Sequence, residues 1–216
     1  MPAPIAGLVL AAGAGARLGV GPKALLSFRG RPLIEYILTQ LDHGGCAGLT
    51  VVLGSQAPQV RESAQLGAAR TVLNPDWQSG LGSSFRCGVE ASLADNPETA
   101  GLLVALADQP GITAAAVARL IGAHRTGRIT AAGYLQGGSN VLRRGHPLIF
   151  DPELATAAAG TAFGDSGARA YLQANPSLID VVDCSDLGHG RDVDTPADLP
   201  LLGVAAPKWQ HQRKYS

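Results

Sequence analysis

The stretch from Leu8 to Lys23 constrains this chain more than any other. Leu8-Val9-Leu10 is a short apolar run of buried-strand type, and Ala11-Ala12-Gly13-Ala14-Gly15-Ala16-Arg17-Leu18-Gly19-Val20-Gly21-Pro22-Lys23 follows it. Gly13, Gly15, Gly19 and Gly21 let the backbone turn tightly and bring its N–H groups close to an anion, with no Cβ in the way. Arg17 and Lys23 add two positive charges to the same loop, an arrangement that suits a polyphosphate. Two common phosphate loops are excluded. Lys23 follows Pro22 and precedes Ala24, so the pattern G-x-x-x-x-G-K-[ST] fails. Gly13 and Gly15 begin a G-x-G-x-x-G match, but Leu18 takes the third glycine's place. A dinucleotide turn also enters its helix at once. Here the glycines and Pro22 discourage a helix for about ten residues. The strand therefore feeds an open loop that can wrap a triphosphate.

Charge and cysteine content narrow the setting. Seventeen basic residues balance seventeen acidic ones, so no bulk field for nucleic acid or a membrane surface is implied. Hydrophobic residues make up 46% and charged ones 16%, which fits a globular α/β chain. Cys46, Cys87 and Cys184 are far apart and show neither a disulfide framework nor C-x-x-C metal spacing. No apolar run approaches the length of a membrane span, and no signal-peptide pattern opens the chain. A soluble, cytoplasmic protein is expected, with residues 1–203 as one domain and residues 204–216 as a loose polar tail.

Strands and helices then alternate. Leu33, Ile34, Ile37, Leu38 and Leu41 form one apolar stripe after Pro32, placed as a first-turn proline, and Gly44-Gly45 ends that helix. Leu49–Leu53 and Thr71–Leu73 read as strands, with a short helix after Pro58 and a second long helix from Ser83 or Ser84. Leu102–Leu106 is the most apolar strand, and Thr113 caps the helix that follows. This rhythm implies βαβ units and a parallel sheet. After residue 128 it changes: Ile129–Tyr134 and Asn140–Leu142 read as short strands of a hairpin-like excursion through Gly137-Gly138. Helical pieces at Glu153–Ala159 and Ala168–Ala174, a strand at Leu178–Val182 and a helix start at Thr195-Pro196-Ala197-Asp198 complete the reading.

Three carboxylates stand out. Asp108 follows the apolar Leu102–Leu106 strand, and ligands gather at the carboxyl ends of strands in open α/β sheets. A carboxylate there, with Pro110 fixing the turn, suits Mg²⁺ on a nucleotide's phosphates. Asp192 and Asp194 alternate about Val193, which puts both on one face of an extended segment ahead of the Thr195 cap. Meeting Asp108, they would form an oxygen-rich cage of the kind hard cations prefer, and Asp194 is favoured over Asp192 as ligand.

Taken together, Leu10-Ala11-Ala12-Gly13, Arg17-Leu18-Gly19, Pro22-Lys23 and Gly30-Arg31-Pro32-Leu33 resemble the opening of the MobA-like nucleotidyltransferases. Ala11-Ala12-Gly13 is similar to the molybdenum cofactor cytidylyltransferase branch; the guanylyltransferase branch usually reads Ala-Gly-Gly. Asp108-Gln109-Pro110 and Asp192-Val193-Asp194-Thr195-Pro196 resemble that family's metal segments. Asn74-Pro75-Asp76-Trp77 with Gly80-Leu81-Gly82-Ser83-Ser84 is similar to its nucleotide-side loop, in which backbone N–H groups and the Ser83 hydroxyl would read a base or ribose edge. Gly145-His146-Pro147 and Gly164-Asp165-Ser166-Gly167-Ala168-Arg169 resemble its acceptor-side motifs, so His146, Asp165 and Arg169 become acceptor-binding candidates.

The resemblance implies a Rossmann-like, three-layer α/β nucleotidyltransferase fold, mostly parallel with a small antiparallel excursion. It implies transfer of CMP from CTP to a phosphorylated acceptor such as the molybdopterin cofactor, with Mg²⁺ required and pyrophosphate released. Arg17, Lys23 and Asp108 are then the catalytic candidates. Ala11, Ala12, Gly13, Gly15, Asn74, Gly80 and Ser83 join Arg17 and Lys23 at the nucleotide, and a molybdoenzyme is the expected protein partner. Two rival readings use the same loop. Relatives with a Gly-Pro-Lys loop include NAD(P)H-dependent nicotine blue oxidoreductases, against which stands the failed dinucleotide fingerprint. A non-catalytic nucleotide-binding maturation factor would keep the loop without needing the second carboxylate site.

Overall fold

The computed structural model describes residues 4–15, 18–19, 21–135 and 141–203. Its spine is β1 (Ile5–Ala11), in which every residue is buried. Unbroken burial needs cover on both faces, and the alternation of a strand distributes its side chains accordingly. Ile5, Val9 and Ala11 join one apolar core, whereas Ala6, Leu8 and Leu10 join another on the opposite face.

Around β1 lie the short β2 (Ser27–Phe28) and β3 (Arg31–Pro32), α1 (Leu33–His43), β4 (Cys46–Leu53), α2 (Ala57–Ser63), β5 (Arg70–Leu73), α3 (Leu81–Asp95) and β6 (Gly101–Leu106). The second half comprises α4 (Ala114–Ala123), β7 (Ile129–Leu135), β8 (Leu142–Phe150), α5 (Pro152–Thr161), α6 (Arg169–Ala174) and β9 (Ile179–Asp183). Seven strands form one sheet in the order β5-β4-β1-β6-β8-β7-β9, and β2 pairs with β3 separately. Only β8 runs against its neighbours β6 and β7; β4, β5 and β6 join β1 through parallel pairs, and β9 runs parallel to β7. The fold is therefore the mostly parallel α/β architecture with an antiparallel insertion that the sequence implies.

Residues of α1, α2 and α4 fill one core and those of α3, α5 and α6 the other, which gives three layers. The helix α3 lies close to the sheet at Gly88, where a Cβ would stand 2.6 Å from Leu8 Cδ1 and 2.8 Å from Val52 Cγ2. Among the described residues no helix is long and apolar enough to cross a membrane.

Several boundaries differ from the sequence reading. Pro32 precedes α1 as its cap, with extended ψ, instead of opening its first turn. The helix α3 starts at Leu81, two residues ahead of Ser83. The largest change concerns β8, expected as a short piece near Leu142 and found over Leu142–Phe150. Leu148, Ile149 and Phe150 pair with both β6 and β7, so this strand is central where a peripheral hairpin was expected. Its polar first half hides the strand pattern, and the register shifts between Ala131 and Ala132, opposite that half. Gly137, Gly138 and Asn140 of the expected hairpin lie outside the described residues, as does the 204–216 tail. The segment after Thr195 is a 3₁₀ helix, Pro196–Leu202, with Pro200 inside it.

Candidate active site

The loop after β1 folds back on itself at Gly15. Leu18 and Gly19 both donate backbone N–H bonds to the Gly15 carbonyl, at 3.0 and 3.2 Å. Gly15 has φ +64°, and a Cβ there would stand 2.5 Å from the Gly21 carbonyl oxygen and 3.3 Å from Lys23 Cγ. Glycine at this position thus lets the returning strand of the loop pass close enough to present Lys23. A 3₁₀ turn over Lys23–Leu25 fixes the lysine backbone, with the Leu26 amide on the Lys23 carbonyl. Arg17, the loop's other cation, lies outside the described residues.

Lys23 reaches across the carboxyl end of the sheet. Its ammonium donates to Asp108 Oδ2 at 2.8 Å and also to Asp194 Oδ1. Burial alone lowers the affinity of this amine for its proton, but the charges and hydrogen bonds of Asp108 and Asp194 outweigh it and hold the pKa above the ordinary lysine value. The two acidic turns meet through the main chain, since the Val193 amide donates to the Asp108 carbonyl at 2.9 Å. Asp198 anchors the far side of the Asp194 turn: its Oδ2 accepts from the Asp194 and Thr195 amides at 3.3 and 2.9 Å and from Thr195 Oγ1 at 2.7 Å.

Asp192 makes a different contact, accepting from Gln109 Nε2 at 2.5 Å. Burial pushes its carboxyl pKa up, the Gln109 bond opposes that, and the charges of Asp108 and Asp194 add to the rise. Asp108, Asp192 and Asp194 are neighbours, as expected, but the cage of three bare carboxylates is not what forms. Lys23 and Gln109 stand among them, and the described residues contain no metal-sized cluster of three His, Cys, Asp or Glu side chains. One oxygen, Asp108 Oδ1, is buried and has no hydrogen-bond partner. A buried carboxylate oxygen without a partner is costly. Its chemistry, with Asp194 alongside, fits a hard cation such as Mg²⁺.

Two cavities open beside this cluster. The first, about 430 Å³, is lined by Ala11, Ala12, Gly13, Gly15, Lys23 and Asp108 on one side and by Trp77, Gly80 and Ser84 on the other. Trp77 also packs near Gly54, where a Cβ would stand 2.5 Å from the tryptophan Cβ. The second cavity, about 390 Å³, contains His146, Asp165, Arg169 and Asp192 in its lining, together with Arg144 and Gln109. Leu10, Leu81, Leu106 and Asp165 line both cavities. Groups bound in the two spaces are therefore neighbours across one short wall. His146 is half-buried, and burial, helped by the Arg144 charge, pushes its pKa down to about 4, so it is neutral at physiological pH.

Not every expected residue faces a cavity. Asn74 and Ser83 are buried and turned inward. The Asn74 amide nitrogen lies 2.9 Å from Ser83 Oγ and 3.0 Å from Ser84 Oγ, and Ser83 Oγ also lies 2.9 Å from both the Asp76 and Gly80 carbonyls. They brace the loop that carries Trp77 and Gly80, while Ser84 takes the lining position expected of Ser83. A helix beginning at Leu81 accounts for the exchange, because the one-residue step from Ser83 to Ser84 turns the side chain by about 100°. Sequence reasoning also missed Arg144 and the Gln109–Asp192 bond. Arg144 lies in the polar half of β8, a strand whose extent was not recognised.

A glycine-loop cavity at the carboxyl end of a mostly parallel sheet, joined to a second cavity through one wall, suits a nucleotidyltransferase-class enzyme. The chain belongs to the MobA-like NTP transferase domain family, whose model matches residues 7–179. It is 48% identical over 199 residues to the nicotine blue oxidoreductase of Paenarthrobacter nicotinovorans, covering 92% of this chain and 96% of that one. It is 32% identical over 177 residues to the phosphoenolpyruvate guanylyltransferase of Sphaerobacter thermophilus, covering 81% of this chain and 79% of the other. Among solved structures, a Mycobacterium sp. strain JC1 homologue of Mycobacterium tuberculosis Rv0371c superposes with a TM-score of 0.79 at 31% identity, over 92% of this chain and 95% of that one. A manganese complex of the Mycobacterium tuberculosis protein superposes with a TM-score of 0.74 at 25% identity, over 94% of this chain and all of that one.

Proposed function

We propose that the protein transfers a nucleotidyl group from a nucleoside triphosphate in the first cavity to a phosphorylated acceptor in the second. CTP is the proposed donor, from Ala11-Ala12-Gly13, and molybdopterin cofactor the proposed acceptor, with a molybdoenzyme downstream and the cytoplasm as the setting. The shared wall between the cavities carries this reading, because an in-line displacement needs donor and acceptor side by side. An acceptor phosphate oxygen forms a bond to the α-phosphorus, the bond to the bridging oxygen breaks, and pyrophosphate leaves. Lys23 and the loop from Ala11 to Gly15 hold the phosphates, with Arg17 assigned the same task. Arg144 and Arg169 orient the acceptor's anionic group, and Asp165 lies between the two sites. Asp108 and Asp194, with Asp192 next to them, would hold Mg²⁺, whose contribution is to neutralise charge on the phosphates. The test is pyrophosphate release from CTP, with GTP and ATP alongside, in the presence of Mg²⁺ and molybdopterin. Release from none of the three nucleotides overturns the reading.

A second reading draws on the 48% identity with nicotine blue oxidoreductase. The first cavity would then take the pyrophosphate of NAD(P)H, and the second, walled by Leu81, Phe85, Leu148, Phe150 and Leu172, a flat dye-like acceptor. Oxidation of NADPH with such a dye, without pyrophosphate release from CTP, favours this reading over the first. Nucleotide binding with neither turnover supports a maturation factor.

A further inference from the structure

Lys23 occupies two sites at once. Its ammonium spans Asp108 and Asp194, the two carboxylates best placed to take a divalent cation, and its side chain also lines the nucleotide cavity beside Gly13 and Gly15. An ammonium and a dication compete for the charge of the same two carboxylates and repel one another at that distance. With Asp192 beside them, Asp108 and Asp194 still lose one unit of negative charge to the ammonium, which weakens their attraction for a free metal ion. A triphosphate in the first cavity changes the balance. It offers Lys23 anionic oxygens within the space its side chain already lines, while its backbone stays pinned by Gly15 and the Lys23–Leu25 turn. The long, flexible lysine stem makes such a transfer between partners inexpensive, which a rigid guanidinium fork would not.

We propose that Lys23 is an internal cation that closes the Asp108–Asp194 metal site until a nucleoside triphosphate draws it away, so that metal binding depends on nucleotide binding. This rests on the first cavity being the triphosphate site. No covalent bond is made or broken in the exchange: the ammonium moves from carboxylate to phosphate, and the dication takes its place between the two carboxylates, where Asp108 Oδ1 already lacks a partner.

The test is Mn²⁺ binding to the full chain, read from the free-ion electron paramagnetic resonance signal, without nucleotide and then with CTP, after subtracting the Mn²⁺ that the same CTP chelates without protein. Wild-type protein is expected to bind Mn²⁺ weakly alone and at least roughly tenfold more tightly with CTP, the scale of removing one charge-assisted contact. Lys23→Met is expected to bind Mn²⁺ without nucleotide at least roughly tenfold more tightly than wild type, and adding Asp108→Asn to that variant should abolish the gain. Circular dichroism verifies folding, and Lys23→Gln replaces Lys23→Met should the latter not fold. Unchanged Mn²⁺ affinity in the folded lysine variant, with CTP still stabilising the wild type in a thermal melt, overturns the lysine's role and leaves the triphosphate site standing. Absence of thermal stabilisation by any of CTP, GTP and ATP overturns both. A gain that survives Asp108→Asn places the ion elsewhere and overturns the assignment.

Discussion

The Val193 amide donates to the Asp108 carbonyl at 2.9 Å, and through this bond two acidic turns far apart in the chain become one edge of a site. Val193 is fully buried, so the segment cannot turn over without exposing it. Its neighbours Asp192 and Asp194 are therefore held towards Gln109 and Lys23 respectively. Asp108 to Asn keeps the size of the side chain and the main-chain bond while removing the charge. Turnover is expected to fall by roughly 10²–10³, the usual cost of losing one electrostatic stabiliser. The thermal midpoint should change little. Pyrophosphate release and a thermal melt on the same sample check both, and wild-type activity in Asp108→Asn refutes the assignment.

Much of this edge was legible in the sequence because turns and strand ends carry local signals. The Gly13–Gly21 loop, the Asp-Gln-Pro turn after β6 and the Thr195 cap were all located from residue types alone. What stayed hidden depends on distant partners. Nothing local says that Lys23 lies on Asp108, 85 positions away, or that Gln109 meets Asp192. Nor does local pattern reveal β8, whose Arg143-Arg144 stretch is polar and whose apolar end fits between two strands that come earlier in the chain. Asn74 and Ser83 take nucleotide-side roles in the sequence reading because their loop resembles that of the MobA-like family, and a family motif does not say which of its side chains face the cavity. Here they bond to one another inside.

Gly88 sets how closely α3 approaches the sheet. Helix propensity alone favours alanine there by about 1 kcal/mol. Its Cβ, however, would meet Leu8 and Val52, both fully buried and unable to yield. Overpacking of this kind costs about 1–3 kcal/mol, so Gly88→Ala should be destabilising on balance. Denaturant unfolding measures it, and a stabilised variant would show that α3 slides freely on the sheet.

His146 predicts the sign of one pH dependence. The ordinary histidine pKa is 6.5, and burial with the Arg144 charge brings it to about 4 in the folded chain. Above pH 6.5 both states are neutral there and the group contributes nothing. As the pH falls towards 4 the unfolded chain takes up a proton that the folded chain refuses, so stability declines. Half-burial and solvent screening keep this decline to about 1–3 kcal/mol. His146→Gln should flatten it, leaving stability above pH 7 within about 1 kcal/mol of wild type. Denaturant midpoints at several pH values test this, and parallel curves for the two proteins would exclude His146 as the source.

Arg169 separates the two cavities experimentally. It lines the second and not the first, and it is exposed at the start of α6, so removing its guanidinium disturbs little packing. If donor and acceptor bind in separate spaces, Arg169→Ala should leave the CTP-induced thermal shift at its wild-type size. Turnover at low acceptor concentration should fall by roughly tenfold or more, as expected for a lost charge-assisted contact to an anionic group. Raising the acceptor should recover most of the rate if the arginine serves binding alone. Lys23→Ala should behave in the opposite way, losing the nucleotide shift whatever the acceptor concentration. A reduced CTP shift in Arg169→Ala would mean that the nucleotide extends past Leu81 and Asp165 into the second space, leaving no separate place for an acceptor.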